Sequence, residues 1–160
     1  MTLRPLHESD VVAIAEIYNY YIRTSTATFE TIELSNEQMR SRLFESFPDY
    51  PCIVAEESGN VVGYCAIHSW RPRFDNVAEV TMYISPQYCS RGIGRQMLRQ
   101  IIETSKKNSK LNGLIACVNA NNDHSKALLT EFGFLPTGYY RKVARKFDQW
   151  LDDVDFQLLF

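Results

Sequence analysis

Residues 91–95 read Arg91-Gly92-Ile93-Gly94-Arg95 and sit directly ahead of the cleanest helical stripe in the chain, Met97, Leu98, Ile101 and Ile102. Two glycines at that spacing let the backbone turn tightly and let a ligand approach its amides closely. A helix starting there offers unpaired N–H groups and the positive end of its dipole, which together suit a phosphate. Arg91 and Arg95 add cationic charge. The same residues would also serve as a glycine-rich turn that binds nothing. A dinucleotide-binding fingerprint is excluded because a third glycine is missing, and a Walker-type loop because no Gly-Lys-Ser/Thr is present. The second chemical candidate is Glu79, a carboxylate on an otherwise apolar, strand-like run over 77–84. In a strand Glu79, Thr81 and Tyr83 share one face, so the acid can line whatever cleft that face borders and accept a proton there. The plainer alternative is a surface carboxylate on a half-exposed sheet. Cys52, Cys65, Cys89 and Cys117 show no CxxC and no paired His/Cys cluster, and His7 and His68 lack metal-site partners, so no metal is expected.

These residues need a scaffold, and the chain is long enough to supply one. Its 160 residues, 45% apolar and 22% charged, suit one globular domain spanning 1–160. With 17 basic and 19 acidic residues the net charge is −2, so no global positive field exists to hold nucleic acid or an anionic membrane. No apolar run approaches the roughly 20 residues that span a bilayer, and residues 1–5 lack a signal peptide's apolar stretch. The expectation is a reduced, cytoplasmic protein without nucleic-acid or membrane partners.

Periodicity and punctuation order the elements. A short strand covers 2–4. Ser9-Asp10 reads as a helix cap, followed by Val11, Ile14, Ala15, Ile17 and Tyr18 at helical spacing until near Ile22. A polar segment over 23–33 leads to a second cap at Ser35 and a helix over 36–47 carrying Met39, Leu43 and Phe44, ended by Pro48 and Pro51. Strands over 52–55 and 61–70 flank a Ser58-Gly59-Asn60 turn, and a loop over 71–76 precedes the strand at 77–84. Ser85-Pro86 breaks that strand, and a helix follows Gly94 to near Lys106. A buried strand over 114–118 leads to a helix from Asn122, with Ala127, Leu128, Leu129 and Phe132 inward and Gly133 closing it. Two final strands, about 134–146 and 151–159, flank an Asp148-Gln149 turn. The order β-α-α-β-β-β-α-β-α-β-β, with several hairpins, favours an α/β protein with a mostly antiparallel sheet.

Cys89-Ser90-Arg91-Gly92-Ile93-Gly94 resembles the acyl-CoA loop, Q/R-x-x-G-x-G/A, of the Gcn5-related N-acetyltransferases (GNAT), and the element order is similar to theirs over essentially the whole chain. Further segments resemble the phosphinothricin and L-amino-acid N-acetyltransferase branch: residues 15–19 with 24–29, Ala78-Glu79 ahead of 82–86, Asn122-Asp123 with Ser125, and 147–153 with Phe156-Gln157-Leu158. The resemblance implies a GNAT fold: a mixed, mostly antiparallel sheet of six to seven strands, splayed in the middle and flanked by about four helices. It implies acetyl-CoA as cosubstrate, a small-molecule amine as partner and a homodimer as the assembly. Cys89 departs from the usual Gln or Arg. The phosphate cradle is made mostly of backbone amides, so weaker support rather than loss of binding is expected.

Residue by residue, the resemblance implies that Met82, Tyr83 and Ile84 offer backbone groups to the pantetheine arm, lying in the splay like an added strand. Ser90, Arg91, Gly92, Ile93, Gly94 and Arg95 would take the pyrophosphate, with Asn122 and Ser125 meeting the arm from the other side. Helix capping explains Asn122 equally well. Glu79 would deprotonate the acceptor amine, directly or through a water. Arg71 and Arg73 would grip an acceptor carboxylate, unless they belong to a solvated loop, and Phe29 and Glu30 would wall the acceptor side. The tyrosine that often serves as general acid in the superfamily falls at Leu129 and is absent. Tyr139 and Tyr140 are alternatives whose plainer role is packing in the last hairpin. His124, in the first turn of its helix, reads as solvent-facing. The implied acceptors are small zwitterions with a polar or tetrahedral head, such as phosphinothricin, methionine sulfone and methionine sulfoximine. Two other readings stay open: acetylation of another amine (a protein N-terminus, a polyamine or an aminoglycoside) and a non-catalytic acyl-CoA-binding module.

Overall fold

The computed structural model describes residues 1–45 and 49–160, so the expected helix end at 46–47 and its terminator Pro48 lie outside the described residues. The elements run β1 (Thr2–Pro5), α1 (Val11–Thr24), α2 (Asn36–Phe44), β2 (Cys52–Glu57), β3 (Asn60–Arg71), β4 (Phe74–Ile84), α3 (Ile93–Ser105), β5 (Gly113–Asn119), α4 (Asp123–Glu131), β6 (Leu135–Lys146) and β7 (Gln149–Leu159). One seven-stranded sheet has the order β1-β2-β3-β4-β5-β7-β6. Every neighbouring pair is antiparallel except β4 and β5. This is the expected α/β architecture. Among the described residues no helix is long and apolar enough to cross a membrane.

Turn chemistry sets the hairpins. Ser58 and Gly59 between β2 and β3, and Phe147 and Asp148 between β6 and β7, all take positive φ, the backbone that matches the right-handed twist of the strands they join. The expected loop at 71–76 is instead a continuation of two strands. Arg71 pairs with Phe74, leaving Pro72 and Arg73 as the turn. Trp70 stacks on Phe74 across the hairpin, with ring centroids 5.7 Å apart, which draws the pairing outward.

The sheet is buried on both faces by its alternating side chains. Cys65, Ile67, Ala78 and Val80 pack under Met97, Leu98 and Ile101 of α3. Val54, Tyr64 and Ala66 pack under Ile14, Tyr18 and Met39 of α1 and α2. Ser35 caps α2 as expected, its side chain accepting from the Gln38 N–H. Asp10 does not cap α1. Its carboxylate takes two 2.8 Å hydrogen bonds from Arg4 and one of 2.7 Å from the His7 N–H. Burial pushes that carboxyl up, but these donors outweigh it and hold it below the usual carboxylate range. Ala127, expected inward, is exposed, whereas Leu129 of the same helix is buried.

The feature that matters for the site is the parting of β4 and β5. They pair only at Val77↔Gly113, Ala78↔Leu114 and Glu79↔Ile115. Beyond Glu79, β4 stays with β3 as far as Gly63↔Ile84, while β5 stays with β7 as far as Asn119↔Asp153. Each follows its own antiparallel partner, and a gap opens between them.

Candidate functional site

A cleft of about 1050 Å³ occupies that gap. One end is the start of α3. Gly92, at φ 77°, is its N-cap, and Ser90 also takes a left-handed backbone, at φ 62°. Among the described residues no side chain caps this helix, so its first N–H groups remain available to an anion. The side chain of Ile93 is buried and anchors the loop to the core. The cations expected here are already engaged. Arg95 makes a bidentate pair with Glu131 at 2.8 Å, and Arg91 reaches Glu57 at 3.3 Å and lies over the Tyr88 ring. A phosphate at this loop therefore relies on backbone donors more than on either guanidinium.

The wall of the gap is β4. The N–H of Ser85 donates to the Val62 carbonyl on the β3 side. Successive strand residues alternate, so the backbone groups of Ile84 and Met82 point the other way, into the gap. The Ile84 carbonyl accepts from the Tyr21 hydroxyl at 2.6 Å, and the exposed Cys89 lies 3.6 Å from the same hydroxyl. Tyr83 points to the opposite face, packed among Tyr18, Tyr21 and Tyr64, and its hydroxyl reaches the Ala27 carbonyl at 3.3 Å. Asn122, across the gap, caps α4 by accepting from the Ser125 N–H at 3.1 Å, and both residues line the cleft. The capping role is thus filled, and the cleft position is compatible with a second role.

Phe29 and Glu30 also line the cleft. Their segment is tied down from three directions. Tyr18 hydrogen-bonds Thr28 at 2.9 Å, Asn119 donates to the Thr26 carbonyl at 3.0 Å, and the Lys146 ammonium donates to the Thr28 carbonyl at 3.0 Å. Lys146 is only 4% exposed, and burial pushes its pKa down. Arg42, on α2, donates to Glu30 at 2.7 Å and lies over the Tyr18 ring, while the second Glu30 oxygen is buried without a hydrogen-bond partner among the described residues. Sequence reasoning missed Tyr21, Arg42 and Lys146.

The floor is Glu79. Its cross-strand partner is His68, whose Nε2 lies 2.9 Å from the Thr81 hydroxyl and whose Nδ1 lies 3.1 Å from the Ser69 carbonyl. A carbonyl only accepts, so Nδ1 carries the proton. Burial raises the pKa of Glu79, the nearby Asp155 raises it further, and His68 and Cys117 act in the opposite direction without cancelling the rise.

Arg71 and Arg73 are not part of this cleft. The Arg71 guanidinium stacks 4.1 Å from the Trp70 ring centroid, and Arg73 borders a separate cavity with Trp70 and Phe74. From Phe74 to Glu79 the strand rises about 17 Å. The extra hairpin length carries both arginines outward, whereas Arg42 lines the cleft beside Glu30 and Arg95 lines it at the α3 loop. Leu129 is core, and Tyr139 and Tyr140 are exposed on β6, the former donating to Asp152 at 2.7 Å, so neither borders the cleft. His124 is exposed at the cleft wall.

Comparison with known proteins places this geometry in context. Residues 14–134 match the family described as Acetyltransferase (GNAT) family. The chain is 32% identical over 164 residues to the L-amino acid N-acyltransferase MnaT of Escherichia coli (strain K12), covering 99% of this chain and 93% of that one. It is 32% identical over 160 residues to a phosphinothricin N-acetyltransferase of Alcaligenes faecalis, covering 98% and 81%. Among solved structures, a ribosomal-protein-alanine N-acetyltransferase from Brucella melitensis superposes with a TM-score of 0.95 at 31% identity, covering 100% of both chains. The protein yncA from Salmonella typhimurium, solved with its cofactor acetyl-CoA, superposes with a TM-score of 0.93 at 28% identity, covering 99% and 92%.

Proposed function

The chain belongs to the acetyltransferase (GNAT) family, and from that premise we propose that it moves an acetyl group from acetyl-CoA to the amino group of a small amino-acid-like acceptor, of phosphinothricin, methionine sulfone or methionine sulfoximine type, with Glu79 as general base. The observation that carries this reading is the parting of β4 and β5 at Glu79: the gap opens at the base and runs to the uncapped start of α3. The residues fit the donor. The N–H groups of 90–95 receive the pyrophosphate, Met82 and Ile84 offer backbone groups to the arm, and Asn122 and Ser125 close over it from α4. Tyr83 supports the strand from behind.

Acetyl-CoA, when bound, supplies an activated acyl carbon and a thiolate leaving group with a pKa near that of a cysteine, about 8.5, which departs with little help. That removes the need for a tyrosine at Leu129. Glu79 takes a proton from the acceptor's ammonium, so that the nitrogen lone pair can form the new C–N bond as the C–S bond breaks. The backbone N–H of Ile84 faces the gap and meets the negative charge that develops on the thioester oxygen. Arg42 takes the acceptor's carboxylate, exchanging it for Glu30, because a guanidinium can hold a carboxylate by two hydrogen bonds. Phe29 packs against the acceptor's side chain.

In this reading residues 1–160 form one acetyltransferase domain, working in the cytoplasm on a small molecule without nucleic acid or membrane. The exposed apolar residues along the β6 edge, including Leu135, Tyr139 and Val143, support the homodimer. A second reading, a protein N-terminal amine as acceptor, is favoured by the absence of Arg71 and Arg73 from the cleft. Free thiol release from acetyl-CoA with a panel of amines decides between them. Turnover confined to zwitterionic amino acids supports the first, turnover confined to peptides supports the second, and donor binding without turnover on any amine leaves only an acyl-CoA-binding module.

The tether at Lys146 gives a separate handle on the acceptor side. Lys146→Met keeps the bulk but leaves the Thr28 carbonyl without its donor, at a cost of about 1 kcal/mol in the order of the segment carrying Phe29 and Glu30. The acceptor KM is expected to rise several-fold while the acetyl-CoA Kd changes less than about twofold. Equal changes in both constants would mean that Lys146 supports the fold as a whole.

A further inference from the structure

Behind Glu79 the sheet gathers acids for which the reaction so far has no use. Glu79 pairs with Ile115, and on the same face the register sets Cys117 opposite Asp155 and Asn119 opposite Asp153. The Cys117 Sγ and one oxygen each of Asp153 and Asp155 all lie within 4.8 Å of one another. Cys117 interacts electrostatically with both Glu79 and Asp155, and Asp155 with Asp153, so a continuous line of interactions leads from the cleft floor into β7. Asp155 is only 4% exposed, and one oxygen of each aspartate is buried with no hydrogen-bond partner among the described residues.

Two such carboxylates cannot both be ionised cheaply. Each charge would lose its hydration, and each would repel the other at contact distance. Burial, then Asp155, then Glu79 raise the pKa of Asp153, a hydrogen bond from the Val118 N–H lowers it, and the balance pushes it up to about 6. One proton held between the two aspartates gives the orphaned oxygens a donor and an acceptor. It leaves a single negative charge at the back of Glu79.

We propose that Asp153 and Asp155 are a positioning pair for the reaction: one proton is held between their orphaned oxygens, and the charge they retain makes Glu79 a stronger base toward the acceptor's ammonium. The consequence for the reaction rests on the reading of Glu79 as the base; the shared proton does not. The groups facing Glu79 are His68 from β3, Cys117 from β5, Asp155 with Asp153 from β7, and Tyr83 along its own strand. The aspartate pair is the anion among them, so removing its charge is expected to lower the affinity of Glu79 for a proton.

The test is a carbon-13 carboxyl NMR titration of the donor-free protein, with Glu79 assigned by its loss in Glu79→Gln. In the native protein Glu79 titrates above the ordinary glutamate range. Asp153→Asn alone releases the shared proton, leaves the pair's one charge in place and keeps that midpoint close to native, whereas Asp153→Asn combined with Asp155→Asn removes the charge and lowers it by about one pH unit. A midpoint that does not move in the double variant overturns the proposal, and so does one that already falls by the full amount in Asp153→Asn, which would mean that both aspartates were ionised. A native titration that changes on dialysis against EDTA also overturns it, by placing a cation rather than a proton between the aspartates. The pH profile of kcat/KM then separates the two readings. If the acid limb follows the NMR midpoint downward in the double variant, the pair acts through the base. If the NMR midpoint moves while Glu79→Gln leaves that limb in place, the shared proton stands and the base assignment falls.

Discussion

Glu79→Gln is expected to lower kcat by a factor of about 100 to 10,000 at neutral pH and to leave the acetyl-CoA Kd within about twofold of native. Glutamine keeps the shape of the side chain and its place on β4 beside His68, but it cannot hold a proton. The loss therefore falls on the step in which the ammonium becomes an attacking amine. The sign of the pH dependence follows from the same chemistry. Glu79 works only when ionised, and its pKa is raised, chiefly by burial. The native kcat/KM must then climb with pH through a midpoint above the ordinary glutamate range and fall away as acid protonates the base. In Glu79→Gln that limb disappears, and what remains rises with pH only as the free acceptor loses its own proton. Steady-state rates from pH 5 to 9 with a zwitterionic amino acid check both statements. A variant that keeps the native acid limb at reduced height would show that another group is the base and that Glu79 only shapes the floor.

The sequence made Glu79 legible because its neighbours are in its own strand. Period-2 alternation over residues 77–84 is enough to put Glu79, Thr81 and Tyr83 on one face, and the chain order of strands and helices is enough to predict the sheet class. The same local logic explains the α3 loop, where Gly92 and Gly94 precede a strong apolar stripe. It fails where the deciding contact is remote. Lys146 reads as a surface lysine at a strand end, yet its ammonium is buried against Thr28, 118 positions away in the chain. Arg42 reads as the polar side of a surface helix, and the packing of α2 against α1 brings it over Tyr18. Charges are misread for a related reason. Arg91 and Arg95 look like free cations until Glu57 and Glu131, from distant elements, arrive beside them. Arg71 and Arg73 look close to Glu79 in the sequence, but an extended strand turns a few residues into a long distance. Asp10 shows the opposite error: it has the right type for a cap, and Arg4 takes its carboxylate first.

The donor site is most sharply tested at Gly94, by two substitutions that differ by two carbon atoms. A Cβ placed there would lie 3.4 Å from Ile84 Cδ1, 3.4 Å from Met82 Cε and 3.5 Å from Leu128 Cδ2, which is ordinary contact with the ends of movable side chains. Gly94 is the second residue of α3, so alanine also removes backbone freedom from the unfolded chain. Gly94→Ala is therefore expected to be stabilised by about 0.5 kcal/mol and to bind acetyl-CoA within about twofold of native. Valine has two further carbons that must lie beyond that contact shell, in the space bounded by Met82 and Ile84 on β4 and Leu128 on α4. In the proposed complex the arm of the donor threads that space. Overpacking of this kind costs about 1–3 kcal/mol, and the upper part of that range corresponds to roughly 100-fold in Kd. Gly94→Val is thus expected to weaken acetyl-CoA binding by about 100-fold while its thermal midpoint stays within a few degrees of native, because the space it fills is cleft rather than core. Calorimetric titration of the two variants side by side isolates the effect. Weak binding by alanine as well would point to the backbone at the start of α3 as the sensitive element, and native affinity in valine would mean that the arm does not pass between β4 and α4 at all.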